Sequence, residues 1–275
     1  SWALFCASGA NFRRSHEKDK NMNELLSLVI NLDGSDQRWA DASSQLDAAG
    51  LNFERLAAVD ARGQSPESFA QYDEKRAVDF YGRAMTGGEI GCYLSHLKCA
   101  KRLLDSDCDY ALVLEDDVAL AENFTQILQT LIQNLDAGVA PDWELINLGR
   151  HGHKLKTPVS DICGHSLEHA FYFPVTTTAL LWSRKGAKAF YDSRDTIYAP
   201  VDHYFSKMFS QRGTGFALNP PCAIPSGAES EIDTAVLARN RIPRTPAYFW
   251  SEFKRQSKNY VNAWKHKTLS ERLSS

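Results

Sequence analysis

A short apolar run ends abruptly in three adjacent acids near the middle of the chain. Residues 110–114 are typical of a buried strand, and Glu115, Asp116 and Asp117 follow at once. Ionised carboxylates cannot share that burial, so they must lie at the end of the strand. Because neighbouring carboxylates repel one another, a fold that keeps them together usually supplies a cation or raises a pKa. The run therefore predicts either an oxygen-ligand site for Mg²⁺ or Mn²⁺, or a solvated turn.

Composition indicates a globular protein without a general affinity for nucleic acid. The 275 residues suffice for one large α/β domain with or without a helical appendage, and the net charge of -3 provides no basic field. The six cysteines form no CxxC pair, which favours free thiols in a reducing cytoplasm. No apolar run approaches the ~20 residues that a membrane-spanning helix needs. We expect residues 1–22 to be an extension outside the fold.

Hydrophobic patterning predicts a βαβ opening and hence a mainly parallel central sheet flanked by helices. Residues 25–32 and 53–59 are strand-like, and residues 37–49 form the helix between them. Residues 65–83 are polar and fit either a helix or a flap. Two glycines then open a clearer helix over residues 89–104, whose N-terminal amides could face an anion.

The rest of the chain continues to alternate strands and helices. The predicted elements are helices at 124–135 and 184–191, strands at 143–149 and 176–182, and a helix with Asp202 in its first turn. A stretch with four histidines is predicted to be loop-rich: His151, His153, His165 and His169. Their spacing fits no compact zinc motif, so a zinc enzyme is the less favoured alternative. The proline-rich residues 220–227 are expected to fold back over the site.

Residues 236–275 differ in composition and form the predicted C-terminal tail. Aromatic residues recur there at helical spacing among lysines and arginines. Such an amphipathic helix suits an anionic membrane surface, and docking of the aromatic side chains on the main domain is the alternative.

Several polar residues follow the predicted strands and should meet at one edge of the sheet. Asn31, Asp33 and Asp60 follow the first two strands, and the acidic triplet follows the third. In open sheets of this kind, ligands bind beyond the carboxyl ends of the strands. The sequence therefore predicts one polar site there, whereas His96 on the following helix is expected to be a core or near-core histidine.

Taken in order, these motifs resemble glycosyltransferase family 25, the lipopolysaccharide galactosyltransferase type. The resemblance spans residues 25–232 and is most specific at residues 87–96, Gly-Gly-Glu-Ile-Gly-Cys-Tyr-Leu-Ser-His. The further matching motifs are Val-Ile-Asn-Leu-Asp at 29–33, Ala-Val-Asp at 58–60, Leu-Glu-Asp-Asp-Val at 114–118 and Pro-Val-Asp at 200–202.

The resemblance implies a GT-A-like α/β fold over residues 23–235, a UDP-sugar donor, usually UDP-galactose, and a divalent metal. The metal would be Mn²⁺, with Mg²⁺ as the alternative, and Asp116 and Asp117 would hold it between the two donor phosphates. The residues expected around the donor are Asn31, Arg38, Asp60, Glu89, Ser95, His96 and Glu115.

Inverting transfer also needs a carboxylate that takes the proton of the acceptor hydroxyl. Asp202 is the first candidate for this catalytic base and Glu89 the second. The predicted function is a metal-dependent inverting galactosyltransferase that extends a lipopolysaccharide or related glycan, cytoplasmic and peripheral on the inner membrane face. A glucosyltransferase and a catalytically silent nucleotide- or glycan-binding protein remain alternatives. A nucleotidyltransferase would normally bring a glycine- and lysine-rich phosphate loop, which the sequence lacks.

Overall fold

The computed structural model describes residues 25–150, 152, 154–227 and 246–273. The predicted extension at 1–22 and the predicted domain boundary at residue 235 lie outside these ranges and stay predictions, as do statements about His151 and His153.

An eight-stranded mixed sheet forms the centre of the molecule, in the order β2-β1-β3-β8-β5-β9-β7-β6. Pairing directions show that six of the eight strands point the same way, whereas β7 and β8 run opposite to them. The strands are β1 (Leu25–Asn31), β2 (Glu54–Ala57), β3 (Tyr110–Glu115), β5 (Leu145–Asn147), β6 (Lys156–Ile162), β7 (His165–Ala170), β8 (Ala179–Ser183) and β9 (Gly215–Asn219). A separate two-stranded sheet pairs β4 (Val118–Leu120) with β10 (Ala223–Pro225).

Helices cover both faces of the main sheet. They are α1 (Asp36–Ala48), α2 (Glu74–Tyr81), α3 (Gly87–Leu104), α4 (Phe124–Asp136), α5 (Arg184–Tyr191), α6 (Val201–Arg212) and α7 (Pro246–Leu273). Alternate residues of β3 point to opposite faces, so Ala111 and Val113 pack with α3, α5 and α6, whereas Leu112 and Leu114 pack with α1 and α4. The predicted α/β class is thereby confirmed.

Two parts of the sheet differ from the sequence-based prediction. The stretch predicted to be loop-rich contains the hairpin β6–β7. The sequence did not indicate this hairpin, because β6 is an edge strand whose mostly polar, partly exposed residues form no apolar run. β8 is shorter than predicted and antiparallel to both of its neighbours. Strand direction depends on long-range pairing, which local periodicity does not reveal.

The open segment 65–83 resolves into a short 3₁₀ turn (Pro66–Ser68) and α2. Helix α7 packs against α2 and α6. Within the described ranges, no helix is long and apolar enough to cross a membrane.

Candidate active site

An open cavity lies beyond the carboxyl ends of β1, β2 and β3 and against the first half of α3. The space within it, including the part open to solvent, is about 710 Å³. The lining residues are Ile30, Leu32, Arg38, Ala58, Val59, Asp60, Ala61, Arg62, Gly88, Cys92, Ser95, His96, Glu115, Asp116 and Asp117. The cavity therefore lies at the edge of the sheet where the polar strand ends were expected to meet.

Seven of the ten predicted site residues line this cavity: Arg38, Asp60, Ser95, His96, Glu115, Asp116 and Asp117. Asn31 lies directly behind the lining and contacts it through Asp116. Glu89 and Asp202 are not among the described residues that line the cavity.

Asp116 is buried and held by several partners. Arg38 forms a close ion pair with it, and Asn31 donates a 2.7 Å hydrogen bond from Nδ2 to Oδ2 of the carboxylate. Asn31 in turn accepts a 2.7 Å bond from Nε of Arg55, whose guanidinium also pairs with Asp33. These bonds fix the carboxylate of Asp116 between the ends of β1 and β3.

The carboxylate of Asp117 has fewer hydrogen-bond and ion-pair partners than that of Asp116. Its Oδ2 lies 3.4 Å from Nη2 of Arg38, and its buried Oδ1 has no hydrogen-bond partner among the described residues. Burial, together with the nearby charge of Glu115, raises the pKa of Asp117 from 3.8 to about 6. A cation at this position would relieve both the burial cost and the repulsion.

Glu115 ends β3 and faces α3. Thr177 donates a 2.6 Å hydrogen bond to its Oε1, and Nε2 of His96 lies 3.9 Å from the same oxygen. Burial alone would raise the pKa of Glu115, but His96, Thr177 and Arg38 together hold it below its usual value. Glu115 is therefore ionised, which adds negative charge to the cavity.

The glycines of the Gly-Gly-Glu-Ile-Gly-Cys block allow α3 to approach the loop after β2. A Cβ on Gly87 or Gly91 would lie under 3.0 Å from the carbonyl oxygens of Ala61 and Val59, respectively. Ser95 joins the same two segments, since its hydroxyl accepts a 2.9 Å bond from the amide of Val59 and donates to Gly91. This close packing positions the loop that carries Asp60.

Asp60 pairs with Arg62 at the mouth of the cavity. The guanidinium donates bonds of 2.9 and 2.7 Å to the carboxylate, and these hydrogen bonds lower the pKa of Asp60 to about 2. Both side chains are exposed, so the pair can rearrange when a ligand enters.

Glu89 stabilises the N-terminus of α3. Its carboxylate accepts bonds of 2.8 and 3.0 Å from Arg83 and one of 2.9 Å from the amide of Thr86, and Thr86 completes the capping box. Asp202 lies in the first turn of α6 and accepts a 2.7 Å bond from the amide of His203. Among the charges that raise the pKa of Cys92, after burial itself, are those of Glu115, Asp202 and Glu89.

Sequence reasoning gave no site role to Arg62, Cys92 and Thr177. Arg62 follows Asp60 by two residues, so an acid–base pair in a turn was a usable signal. Cys92 lies one turn before His96 on α3, which also places both on one helix face. Thr177 gave no such signal, because only the antiparallel pairing of β3 with β8 brings it to Glu115.

Comparison with known proteins identifies the family of this chain. The family model described as glycosyltransferase family 25 (LPS biosynthesis protein) matches residues 25–205. The chain belongs to glycosyltransferase family 25. Among curated family 25 relatives, procollagen galactosyltransferase 1-A of Xenopus laevis is 30% identical over 237 residues, covering 78% of this chain and 39% of the relative.

A second relative carries a different description. The "probable inactive glycosyltransferase 25 family member 3" of Bos taurus is 33% identical over 135 residues, covering 48% of this chain and 22% of the relative. The chain thus spans well under half the length of these family 25 relatives. Among solved structures, a glycosyltransferase involved in the glycosylation of the major capsid of PBCV-1 matches with a TM-score of 0.41 and 10% identity, covering 78% of this chain and 98% of that one.

The residues of the cavity fit a divalent cation. Asp117 offers a buried carboxylate oxygen that has no hydrogen-bond partner in the described part of the chain, and the neighbouring Glu115 and Asp116 add negative charge. Such oxygen ligands suit Mn²⁺ or Mg²⁺. Asp117 is the better placed of the two predicted ligands, because Asp116 already bonds to Arg38 and Asn31.

Proposed function

We propose that this family 25 chain transfers galactose from UDP-galactose to a hydroxyl group of a glycan, with inversion and with the help of a divalent cation. The observation that carries the proposal is the acidic edge of the cavity, where a buried oxygen of Asp117 has no hydrogen-bond partner within the ranges that the structure describes. Galactose is favoured over glucose because the Xenopus laevis relative is named a galactosyltransferase.

In such a transfer the anomeric carbon–oxygen bond to UDP breaks, and a new bond forms to the acceptor oxygen. Negative charge develops on the leaving diphosphate. When bound at Asp117 and Asp116, the cation would stabilise that charge. Arg38, which lies over both carboxylates, is the positively charged side chain best placed to contact the diphosphate as well.

The other donor-binding roles follow from position. Asp60 and Arg62 at the mouth offer an acceptor and a donor of hydrogen bonds to the nucleoside, and Ser95 and Asn31 hold the surrounding loops. His96 and Glu115 form the inner end of the cavity. We assign these residues to the donor pocket.

For the base we favour Asp202 over Glu89. Both oxygens of Glu89 bond to Arg83 or to the start of α3, which gives this carboxylate a structural role. Asp202 is half-buried and acts electrostatically on Cys92, which lines the cavity. As the base, Asp202 would take the proton of the acceptor hydroxyl as that oxygen bonds to the anomeric carbon.

A donor screen tests the proposal. UDP-galactose, UDP-glucose and UDP-N-acetylglucosamine are offered with Mn²⁺ or with EDTA, together with a lipopolysaccharide core oligosaccharide or a collagen peptide. We expect transfer of galactose to the oligosaccharide with Mn²⁺ and a loss of roughly 10²–10³-fold in Asp117→Asn. Transfer undiminished in EDTA would refute the metal assignment. UDP binding without any transfer or hydrolysis would favour a silent binding protein, the alternative that the Bos taurus relative keeps open.

Helix α7 supports a membrane-bound acceptor. The helix docks on the domain through Arg255, Asn259 and Ala263, which are buried, while its large apolar side chains point outward. Six of these outward side chains occupy about one third of the helix circumference at 100° per residue: Phe249, Trp250, Phe253, Tyr260, Val261 and Trp264. These six side chains therefore do not mediate the docking, whereas Tyr248 of the same helix lies against Gly82 at the end of α2.

The charges beside this outer face favour an anionic partner. Lys254, Lys258, Lys265 and Arg272 are all exposed and lie along one edge of the apolar stripe. A helix with aromatic residues next to a basic edge suits the surface of a membrane that contains anionic lipids. We propose that α7 holds the domain on such a surface, where a lipid-linked glycan would be presented to the cavity. The cytoplasmic location stays a prediction.

A further inference from the structure

We propose that Cys92, His96 and Glu115 form a binding site for a thiophilic divalent cation such as Zn²⁺ at the inner end of the cavity. This site is separate from the oxygen-ligand site at Asp117 and would take a different class of metal. The three candidate ligand atoms, a thiol sulfur, an imidazole nitrogen and a carboxylate oxygen, all lie within 4.8 Å of one another.

Backbone geometry brings the three side chains together. Cys92 and His96 are four residues apart on α3 and therefore share one face of the helix. Glu115 is the last residue of β3 and faces that helix, with Oε1 3.9 Å from Nε2 of His96. All three residues line the cavity, so a cation can enter from solvent.

His96 supplies the independent sign of a ligand. Its side chain is 1% exposed, and neither ring nitrogen has a hydrogen-bond partner among the described residues. Leaving a buried polar atom unsatisfied costs free energy, which a cation bound to the imidazole would recover. At 3.9 Å the carboxylate of Glu115 is too distant for a hydrogen bond but well placed to share a cation with the imidazole.

The chemistry of the three ligands fits Zn²⁺. Binding would break the S–H bond of Cys92, release its proton to solvent and form an S–Zn bond, with no change of oxidation state. One thiolate, one carboxylate and one neutral imidazole then balance the charge of the cation. Zinc ligands at about 2.0–2.3 Å in tetrahedral geometry require the present ligand atoms to close by about 1 Å. The fourth position would face the cavity.

Ligand type also separates the two sites. A thiolate ligand favours Zn²⁺ over Mn²⁺ and Mg²⁺, whereas carboxylate oxygens alone favour the latter pair. Zinc at the inner end would draw Glu115 toward α3 and occupy space next to the donor. We therefore expect Zn²⁺ to inhibit transfer, a consequence that rests on the proposed function, whereas the binding itself does not.

Cobalt(II) gives a direct test, because a cysteine thiolate bound to Co²⁺ produces a near-ultraviolet charge-transfer band. The reduced, metal-free chain is titrated with Co²⁺ and then with Zn²⁺, which should abolish the band by displacement. We expect the band in the parent and in Cys108→Ser, and its absence in Cys92→Ser. Cys108 is a matched control because it is also half-buried but does not line the cavity.

Zinc affinity and thermal stability provide the second measurement. Cys92→Ser should lose at least about 100-fold in Zn²⁺ affinity, the upper end of what loss of an outer-shell contact costs. Glu115→Gln should also weaken binding, and Zn²⁺ should raise the melting temperature of the parent but not of Cys92→Ser. A chain without a thiolate–cobalt band, or a band that survives Cys92→Ser, would overturn the site. Zinc binding without inhibition would leave the site intact and count against the donor assignment of the cavity.

Discussion

Asn31 donates a 2.7 Å hydrogen bond from its Nδ2 to Oδ2 of Asp116, although 85 residues separate the two in the chain. The bond joins the ends of the adjacent parallel strands β1 and β3. The amide oxygen of Asn31 accepts a hydrogen bond from Arg55 on β2. The side chain of Asn31 therefore links β1, β2 and the end of β3 beside the cavity. The geometry of the acidic triplet thus depends on a residue that does not line the cavity itself.

Replacing Asn31 should therefore affect both stability and ligand binding. We expect Asn31→Ala to lower the free energy of unfolding by about 1–3 kcal/mol, because Asp116 and Arg55 lose a partner. It should also weaken UDP binding measured calorimetrically with Mn²⁺. Asn134→Ala is the control, since Asn134 is half-buried, bonds to Thr130 and lies away from the cavity. Equal UDP affinity in parent and Asn31→Ala would show that the network does not position the site.

Asp117 should make the stability of the metal-free chain depend on pH. Its pKa rises from 3.8 to about 6 in the folded state, so folding favours the protonated form. The stabilisation is complete below about pH 4 and is lost as the pH rises through 6. At pH 7.5 Asp117→Asn should be more stable than the parent by about 1–3 kcal/mol, since one pKa unit corresponds to about 1.4 kcal/mol.

Urea unfolding at pH 4 and pH 7.5 measures this difference between parent and variant. The exposed Asp195→Asn serves as the control and should show no pH-dependent difference. Adding Mn²⁺ at pH 7.5 should stabilise the parent and not Asp117→Asn. A parent that equals or exceeds Asp117→Asn in stability at pH 7.5 without metal would contradict the burial argument.

The location of the cavity could be predicted from the sequence more completely than the strand order and pairing of the sheet. The apolar run before Glu115 and the polar residues after β1 and β2 led to the carboxyl edge, because parallel strands of a βαβ unit end on one side. The β6–β7 hairpin could not be found this way, since an edge strand such as Lys156–Ile162 buries few side chains. Thr177 reaches Glu115 only through a long-range antiparallel pairing.

For the C-terminal tail, the sequence predicted the helix but not which of its faces packs on the domain. Helical spacing predicted an amphipathic helix over this region, and residues 246–273 are helical. The periodicity identified an apolar stripe but not its partner, because lipid and protein impose the same pattern. In the structure the narrower face with Arg255 and Asn259 is the one that docks.

Gly91 and Gly88 offer a paired test of how α3 approaches the β2 loop. Gly91→Ala would place a Cβ under 3.0 Å from the carbonyl oxygen of Val59, whereas a Cβ on Gly88 would meet nothing closer than 4.0 Å. We expect Gly91→Ala to cost about 1–3 kcal/mol through overpacking, while Gly88→Ala gains up to about 1 kcal/mol in helix propensity. Thermal unfolding of the two variants measures this difference, and similar melting temperatures would rule out the close approach of α3 to Val59.

Membrane contact through α7 predicts a loss of vesicle binding when its outer face is changed. Trp250→Ser with Trp264→Ser should abolish sedimentation with vesicles that contain phosphatidylglycerol, because both indoles are more than half exposed. Lys254→Glu with Lys265→Glu should weaken vesicle binding and reduce the salt dependence of that binding. Val159→Ser, an exposed apolar residue on β6, is the control. Binding that persists in the double tryptophan variant would eliminate this surface.

Asp202 and Glu89 can be separated by kinetics and stability together. Asp202→Asn should lower kcat by roughly 10²–10⁴-fold, the usual contribution of a general base, while UDP affinity and the melting temperature stay close to those of the parent. Glu89→Gln should instead lower the melting temperature, because Arg83 loses a buried charged partner. Transfer assays and thermal unfolding on the same preparations distinguish the two effects. If Asp202→Asn transfers galactose within a few-fold of the parent, Asp202 is not the base, and a stable Glu89→Gln with a large loss of kcat would assign that role to Glu89.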